Sequence, residues 1–398
     1  MNKRNILNKA DMCFAICFIA YTCIYIARFN LSIASPAFIN EGFLDAGQIG
    51  LMGSVFSVVY ATGRLFNGSL SDRVLPWIMI CIGLVSIACA NLLCAIFPPF
   101  IGMALLWGIN AYAQSMLWSS ELCVVCSVYE PDKIKKRTAQ LVTSVAVGNL
   151  LAILFNTWLV SQFGAKFAFI IPGVLNLIMA PFVFATIRDV PLPKIQKEEH
   201  ISLLPLIFRK DVRSMLIPAL FHGVMKDNIS LWMAVYFVNS FGIDLKASAL
   251  FMLMIPSIGL VGRVSYNRAM RICRDRENIV SIFGFLICVI TCLILTFDVR
   301  SPLVAALCLS IAYAAISLIN TSSVSIYPMR FAATGNVAAV SGIMDFATYL
   351  GAGIGSAVYG YTIQWFGYGA MFGSWVVLSL LSMAALAVNE RNARRNGE

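Results

Sequence analysis

Charge is scarce in this chain. Of 398 residues only 12% are Asp, Glu, Lys or Arg, against roughly 25% in soluble domains. That shortage excludes a soluble enzyme. Histidine is scarcer still, with two in all. The 12 cysteines contain one C-x-x-C spacing, Cys123 and Cys126, inside an apolar run and without a second such pair, so neither a metal nor a redox centre is expected from it. No cofactor is expected either. Behind the basic start (Lys3, Arg4, Lys9) the first apolar stretch lacks a small-residue cleavage site, so it reads as a helix that stays rather than a removed signal.

What fills the chain instead is apolar: 60% of residues are hydrophobic and the mean hydropathy is +0.82. Runs of about 20 such residues cross a bilayer as helix. Breaks at Pro, Gly and charge clusters delimit twelve spans, near 12–34, 46–70, 77–97, 100–128, 138–162, 167–187, 214–239, 246–268, 278–297, 302–328, 335–364 and 366–388. The polar stretch 188–213, with Pro191, Pro193 and Lys197, separates six from six as a cytoplasmic linker. With the N-terminus inside, 22 of the Lys and Arg residues fall in cytoplasmic segments and only Lys166, Lys246 and Arg300 outside. By the positive-inside rule both termini are then cytoplasmic. The net charge of +10 follows from this topology, and no nucleic-acid partner is implied.

The halves repeat each other weakly. Gly63-Arg64 recurs as Gly262-Arg263, Phe163-Gly164 as Phe366-Gly367, and Arg28 in the first span maps onto Lys226 in the seventh. Four basic residues, Arg28, Arg64, Lys226 and Arg263, lie within the spans themselves. A charge at mid-bilayer costs about 2.5–3.5 kcal/mol on insertion scales, so it must face a wet cavity or an opposite charge. Arg28 shares a helix face with Tyr21, Tyr25 and Ser32, and Lys226 with His222 and Ser230, by the 3.6-residue period. Further polar stripes are Asn110, Gln114, Trp118 and Glu121 in the fourth span and Tyr313, Ser317, Asn320 and Tyr327 in the tenth. In the eleventh, Asp345 and Tyr349 lie one turn apart among glycines.

Two readings of the cations stand side by side. They hold helices together through buried ion pairs with Glu121, Asp227 or Asp345, or they bind an anion, for which a guanidinium fork suits carboxylate, sulfonate or phosphate. Arg28 has no acid within a turn on its own helix, which favours the second. Asp227 follows Lys226 directly but projects about 100° around the helix, which directs it to another span. His222, Glu121, Asp227 and Asp345 are the candidates for proton coupling. Tyr25, Gln114, Trp118, Tyr313 and Asn320 are candidate lining residues.

These residues resemble the major facilitator superfamily, and within it the organophosphate–phosphate antiporters that carry glycerol 3-phosphate and hexose 6-phosphate. The likeness is carried by Tyr25-Ile26-Ala27-Arg28-Phe29-Asn30 and by Gly68-Ser69-Leu70-Ser71-Asp72-Arg73. Gln114 to Trp118, and Tyr349-Leu350-Gly351 with Gly360-Tyr361-Thr362, add to it. The resemblance implies that Arg28 contacts the substrate's anionic group, that Asp72 and Arg73 gate the cytoplasmic side, and that Arg64 falls where the family has a Lys beside the pathway. Three positions depart from the pattern. The family's second anion-binding Arg falls on Lys226, its fifth-span His falls near Val145, and the second-half turn from Arg263 to Arg271 lacks the expected acid.

The expected fold is therefore an all-α membrane protein of twelve transmembrane helices. Two pseudo-symmetric six-helix bundles, 1–187 and 214–398, flank the linker 188–213. The expected function is secondary transport of a small organic anion, a phosphorylated sugar, sugar acid or sulfonate, by alternating access. A proton- or sodium-coupled carboxylate symporter of the anion–cation symporter type and a transporter-like ligand sensor are the alternatives. The expected setting is a monomer in the bacterial inner membrane, its partners the anionic substrate and the lipid.

Overall fold

The computed structural model describes residues 3–71, 73–192, 203–274, 276–297, 299–334 and 337–395. Among these there is no strand. The helices are α1 (Lys3–Asn40), α2 (Ala46–Leu70), α3 (Pro76–Cys94), α4 (Phe100–Val128), α5 (Pro131–Phe163), α6 (Phe167–Ile187), α7 (Leu203–Phe208), α8 (Lys210–Phe241), α9 (Leu245–Val264), α10 (Tyr266–Ile272), α11 (Glu277–Thr296), α12 (Pro302–Asn320) and α13 (Val337–Arg395). Pro76, Pro131 and Pro302 open α3, α5 and α12, where a missing N–H leaves no bond unmade. Asp244 caps α9 by accepting from the Lys246 N–H at 3.0 Å. Gly367, at φ 76° and ψ −179°, interrupts the helical backbone of α13, a conformation open to glycine alone.

Ten helical segments are long and apolar enough to cross a membrane. The 32-residue α8 is not among them, because His222, Lys226, Asp227 and Asn228 interrupt its apolar run. The tenth predicted span departs from a plain helix. Its α-helix ends at Asn320, Thr321–Ile326 form a π-turn, and Tyr327–Thr334 continue as 3-10 helix. The wider turn shifts the register, so the expected stripe from Tyr313 through Asn320 does not extend to Tyr327, whose ring is buried and packs edge-on against Phe331.

The chain forms two compact units. The first is Met1–Glu41 with Val58–Glu198, the second Gly42–Ser57 with Glu199–Glu398. The boundary runs through α2, whose opening turns belong to the second unit. There Gly50 meets the Ser356 carbonyl and Gly360, and the Gly47 N–H donates to Gln364 Oε1 at 3.3 Å. In the first unit α1 packs on α5 and α6, and α3 on α4 and α6, around Ile24, Ile80, Leu84, Leu117 and Val124. In the second α8 and α11 pack on α13, and α12 on α9 and α11, around Phe285, Ile319, Met344 and Leu386. Lipid supplies no hydrophobic drive between helices, so van der Waals packing and side-chain hydrogen bonds must hold each unit.

Candidate functional site

In the first unit the Arg28 guanidinium lies over the Tyr60 ring of α2 at 4.5 Å and over Tyr25 at 5.6 Å. Arg64, one turn after Tyr60, approaches the same ring at 5.9 Å. The aromatic surface continues inward: Tyr25 to Tyr21 at 5.5 Å and Tyr21 to Trp118 at 5.1 Å, with Phe29 stacked on Tyr25 at 6.4 Å. Ring faces attract a cation through their quadrupole, worth about 0.5–2 kcal/mol each. Arg28 is thereby held while part of its side chain stays accessible.

Four asparagines fix the backbone beneath it. Asn176 of α6, Asn156 of α5 and Asn110 of α4 donate to the α1 carbonyls of Cys23, Ile26 and Ala27, at 3.4, 2.9 and 3.4 Å. The Leu31 N–H is met by Asn30 Oδ1 at 2.8 Å, and Asn30 donates to Asn91 of α3 at 2.7 Å. Asn91 and Gln114 both donate to Asn110 Oδ1, at 3.3 and 3.2 Å. Every packed neighbour thus reaches the turn that carries Arg28. Tyr60, Asn30, Asn91, Asn156 and Asn176 were not among the expected site residues. The signal available was a lone amide in each apolar run.

Glu121 stands apart from this network. It is fully buried on α4, and neither carboxylate oxygen has a hydrogen-bond partner among the described residues. Its neighbours in the same core are Cys17, Tyr21, Leu117, Val124 and Val125. At the end of α1, Asp11 pairs with Arg137 at 2.6 Å and accepts from the Tyr129 hydroxyl at 2.7 Å. Burial, and then that bond, push the Tyr129 phenol above its ordinary range.

In the second unit Lys226 lies 4.9 Å from the centre of the Tyr349 ring. Its ammonium stands 3.6 Å from Asp227 Oδ1, with side-chain exposures of 19% and 26%. This differs from the expectation that Asp227 turns to another span: a four-carbon stem lets the ammonium reach around the helix. His222, one turn earlier, is wholly buried. Ser230 donates back to the Lys226 carbonyl at 3.4 Å. Asp345 is partly buried one turn before Tyr349 on α13. Tyr313 is buried against Gly259 of α9, and Asn320 is half-buried at the last α-turn of α12.

Of the expected gating residues, Arg73 is exposed in the turn after α2, and Asp72 lies outside the described residues. In the second unit, Arg330 pairs with the buried Glu277 at 2.5 Å and Arg276 with Glu390 at 3.4 Å. Among the described residues no group of three His, Cys, Asp or Glu side chains could hold a metal ion.

Residues 17–355 match the Major Facilitator Superfamily. The chain belongs to this superfamily. It is similar to a probable hexose phosphate transport protein of Chlamydia trachomatis, 26% identical over 184 residues, which are 45% of this chain and 40% of that protein. The membrane sensor protein UhpC of Escherichia coli is 25% identical over 191 residues, covering 46% of this chain and 43% of its own. The glycerol-3-phosphate transporter of Bacillus subtilis is 23% identical over 419 residues, 95% and 91% of the two chains. The first of these matches spans less than half of the relative's length. Together the names fit an antiporter-like family of the organophosphate–phosphate type. A bacterial homologue of the human lysosomal transporter Spinster, solved inward-facing and unoccupied, shares the fold with TM-score 0.80 at 15% identity, over 96% of this chain and 97% of that one.

Proposed function

We propose that this superfamily member carries a small phosphorylated or carboxylated organic anion across the inner membrane by alternating access, with Arg28 and Lys226 as its anion ligands. The observation that carries the reading is Arg28, a partly accessible guanidinium mid-way along a membrane-spanning helix, laid on the faces of Tyr60 and Tyr25. An intramembrane charge is retained for function. Stacking on a ring directs a guanidinium's N–H groups outward along its edge, the geometry that matches carboxylate and phosphate oxygens. Tyr25, Gln114, Trp118, Tyr313 and Asn320 would line the path, Arg64, Asp72 and Arg73 would gate it, and a monomer would suffice.

The same reading takes the chain as twelve passes in two repeated halves, 1–187 and 214–398 about the linker 188–213, with both termini cytoplasmic. The break at Gly367 turns one long helical segment into two, and α8 supplies the pass whose charges interrupt its hydropathy. Matching contacts support the repeat. Gly83 of α3 meets Leu117 of α4, as Gly284 of α11 meets Ile319 of α12. Gly63 of α2 meets Ser115, as Gly262 of α9 meets Ala314.

The test is uptake into proteoliposomes of radiolabelled glucose 6-phosphate and glycerol 3-phosphate. Arg28→Ala should lower uptake about 100-fold or more, since losing one partner of a charge-assisted pair costs 2–5 kcal/mol; Arg28→Lys should recover part of it. Uptake unchanged in both Arg28→Ala and Lys226→Ala would remove the assignment. Similarity to a membrane sensor supports a second reading, a receptor without net flux. Ligand-dependent thermal stabilisation with no uptake would decide for it.

A further inference from the structure

Glu121 has no part in the anion site just described, yet it is the carboxylate most at odds with its surroundings. It sits in a span, fully buried, seven residues after Gln114 and one turn after Trp118 on α4. Both oxygens lack a partner among the described residues. An ionised carboxylate in apolar packing without donors costs several kcal/mol, whereas the neutral acid is tolerated. The groups that could relieve it are few. From α1 it is faced by Cys17 and Tyr21, neither of them a cation. Arg64, together with Tyr60 and Tyr25, acts on Tyr21. From α3 the shared core holds Ile80, Leu84 and Ile87, while Cys81 is turned to the Ala180 carbonyl at 3.5 Å.

Tyr21 is also where this acid meets the anion ligand. Its ring touches Trp118 on one side and Tyr25 on the other, and Tyr25 lies beneath Arg28. A displacement of Arg28 toward an anion moves the ring stack that seals Glu121. We propose that Glu121 is a proton site, and that each anion carried is coupled to one proton bound there. The proton adds from water to a carboxylate oxygen and leaves to water when the seal opens; nothing is oxidised or reduced. This inference rests on the anion-carrier reading, and names its coupling ion.

The experiment has two arms. In the reconstituted resting protein, infrared spectroscopy at neutral pH should record a carboxylic-acid carbonyl band that Glu121→Gln removes. In proteoliposomes loaded with a pH dye, an inward gradient of glucose 6-phosphate should acidify the lumen, and an imposed acid-outside gradient should accelerate its uptake. Glu121→Gln keeps shape and hydrogen-bonding capacity. It should lower gradient-driven uptake about tenfold or more, a normal size for coupling between two sites, while exchange of labelled against unlabelled glucose 6-phosphate continues. Absence of the band, or wild-type uptake indifferent to the pH gradient and without acidification, overturns the proton site even if the variant fails to fold. Flux without proton movement sinks this inference alone; absence of any flux sinks the carrier reading and this with it.

Discussion

Each unit keeps a cation-bearing helix in place within lipid, and the two do so by different physical means. Around Arg28 the neighbours of α1 send asparagine amides to its carbonyls at Cys23, Ile26 and Ala27. Around Lys226 the helices instead touch backbone to backbone: Gly223 of α8 lies against the Thr348 carbonyl, and Gly351 of α13 against that of Leu220. Only Asn228 donates across that contact, to the Ala352 carbonyl at 3.5 Å. A hydrogen bond tolerates small adjustments of distance; a contact that admits no Cβ does not. The lesson is that equivalent charges in one chain are positioned by specific amides in one case and by the absence of side chains in the other.

The two means should break differently. The largest effect is expected for Gly223→Val, whose new side chain meets peptide backbone that cannot step aside. Overpacking costs typically 1–3 kcal/mol and sometimes more, and here the upper end or beyond is expected, read as loss of the monodisperse peak in size-exclusion chromatography after heating. Gly68→Ala, where a Cβ meets nothing within 4 Å, is the control and should leave that peak unchanged. Next comes Asn110→Ala, which removes the acceptor of Asn91 and Gln114 and the donor to Ala27 at once. Leaving buried polar groups unpaired costs about 1–3 kcal/mol, measured as a shift in thermal midpoint in the same detergent. If it equals Gly223→Val, the contrast between the units is void.

Smaller still is Asn228→Ala, with one long bond to another helix. Membrane hydrogen bonds average about 0.6 kcal/mol, so the thermal midpoint should fall by less than for Asn110→Ala. Least of all is Lys9→Ala, which breaks an ion pair with Asp189 at 3.5 Å whose side chains are 45% and 63% exposed. Exposed pairs are worth about 0.2–1 kcal/mol and are screened by salt, so any shift should vanish in high-salt buffer. A salt-insensitive loss there would mean that Lys9 acts through packing.

Much of this architecture is readable along the chain. Apolar runs mark the spans, Gly367 marks a break, and Arg28 and Lys226 stand out because charge is costly where they lie. The rest depends on how helices are rotated about their axes. Tyr60 under Arg28 joins residues 32 positions apart on two helices, and no local period reports it. The asparagines are each visible as one amide in an apolar run, but their convergence on a single turn of α1 is a tertiary fact. Asp227 was directed elsewhere by its Cβ vector, and the reach of lysine's stem brought the two together. The π-turn after Asn320 leaves no compositional mark, because one additional residue in a turn changes register without changing chemistry.

That π-turn makes the following segment hostage to chain length. An α-helix advances about 100° per residue, so deleting Ser323 alone would allow the turn to relax to ordinary α-geometry and would swing everything beyond it by that angle. Arg330, now seated on Glu277, would be carried away from its carboxylate. The surplus residue therefore works as a spacer that sets the azimuth of the arginine, and homologues one residue shorter at this point should have lost the acid, the arginine or both.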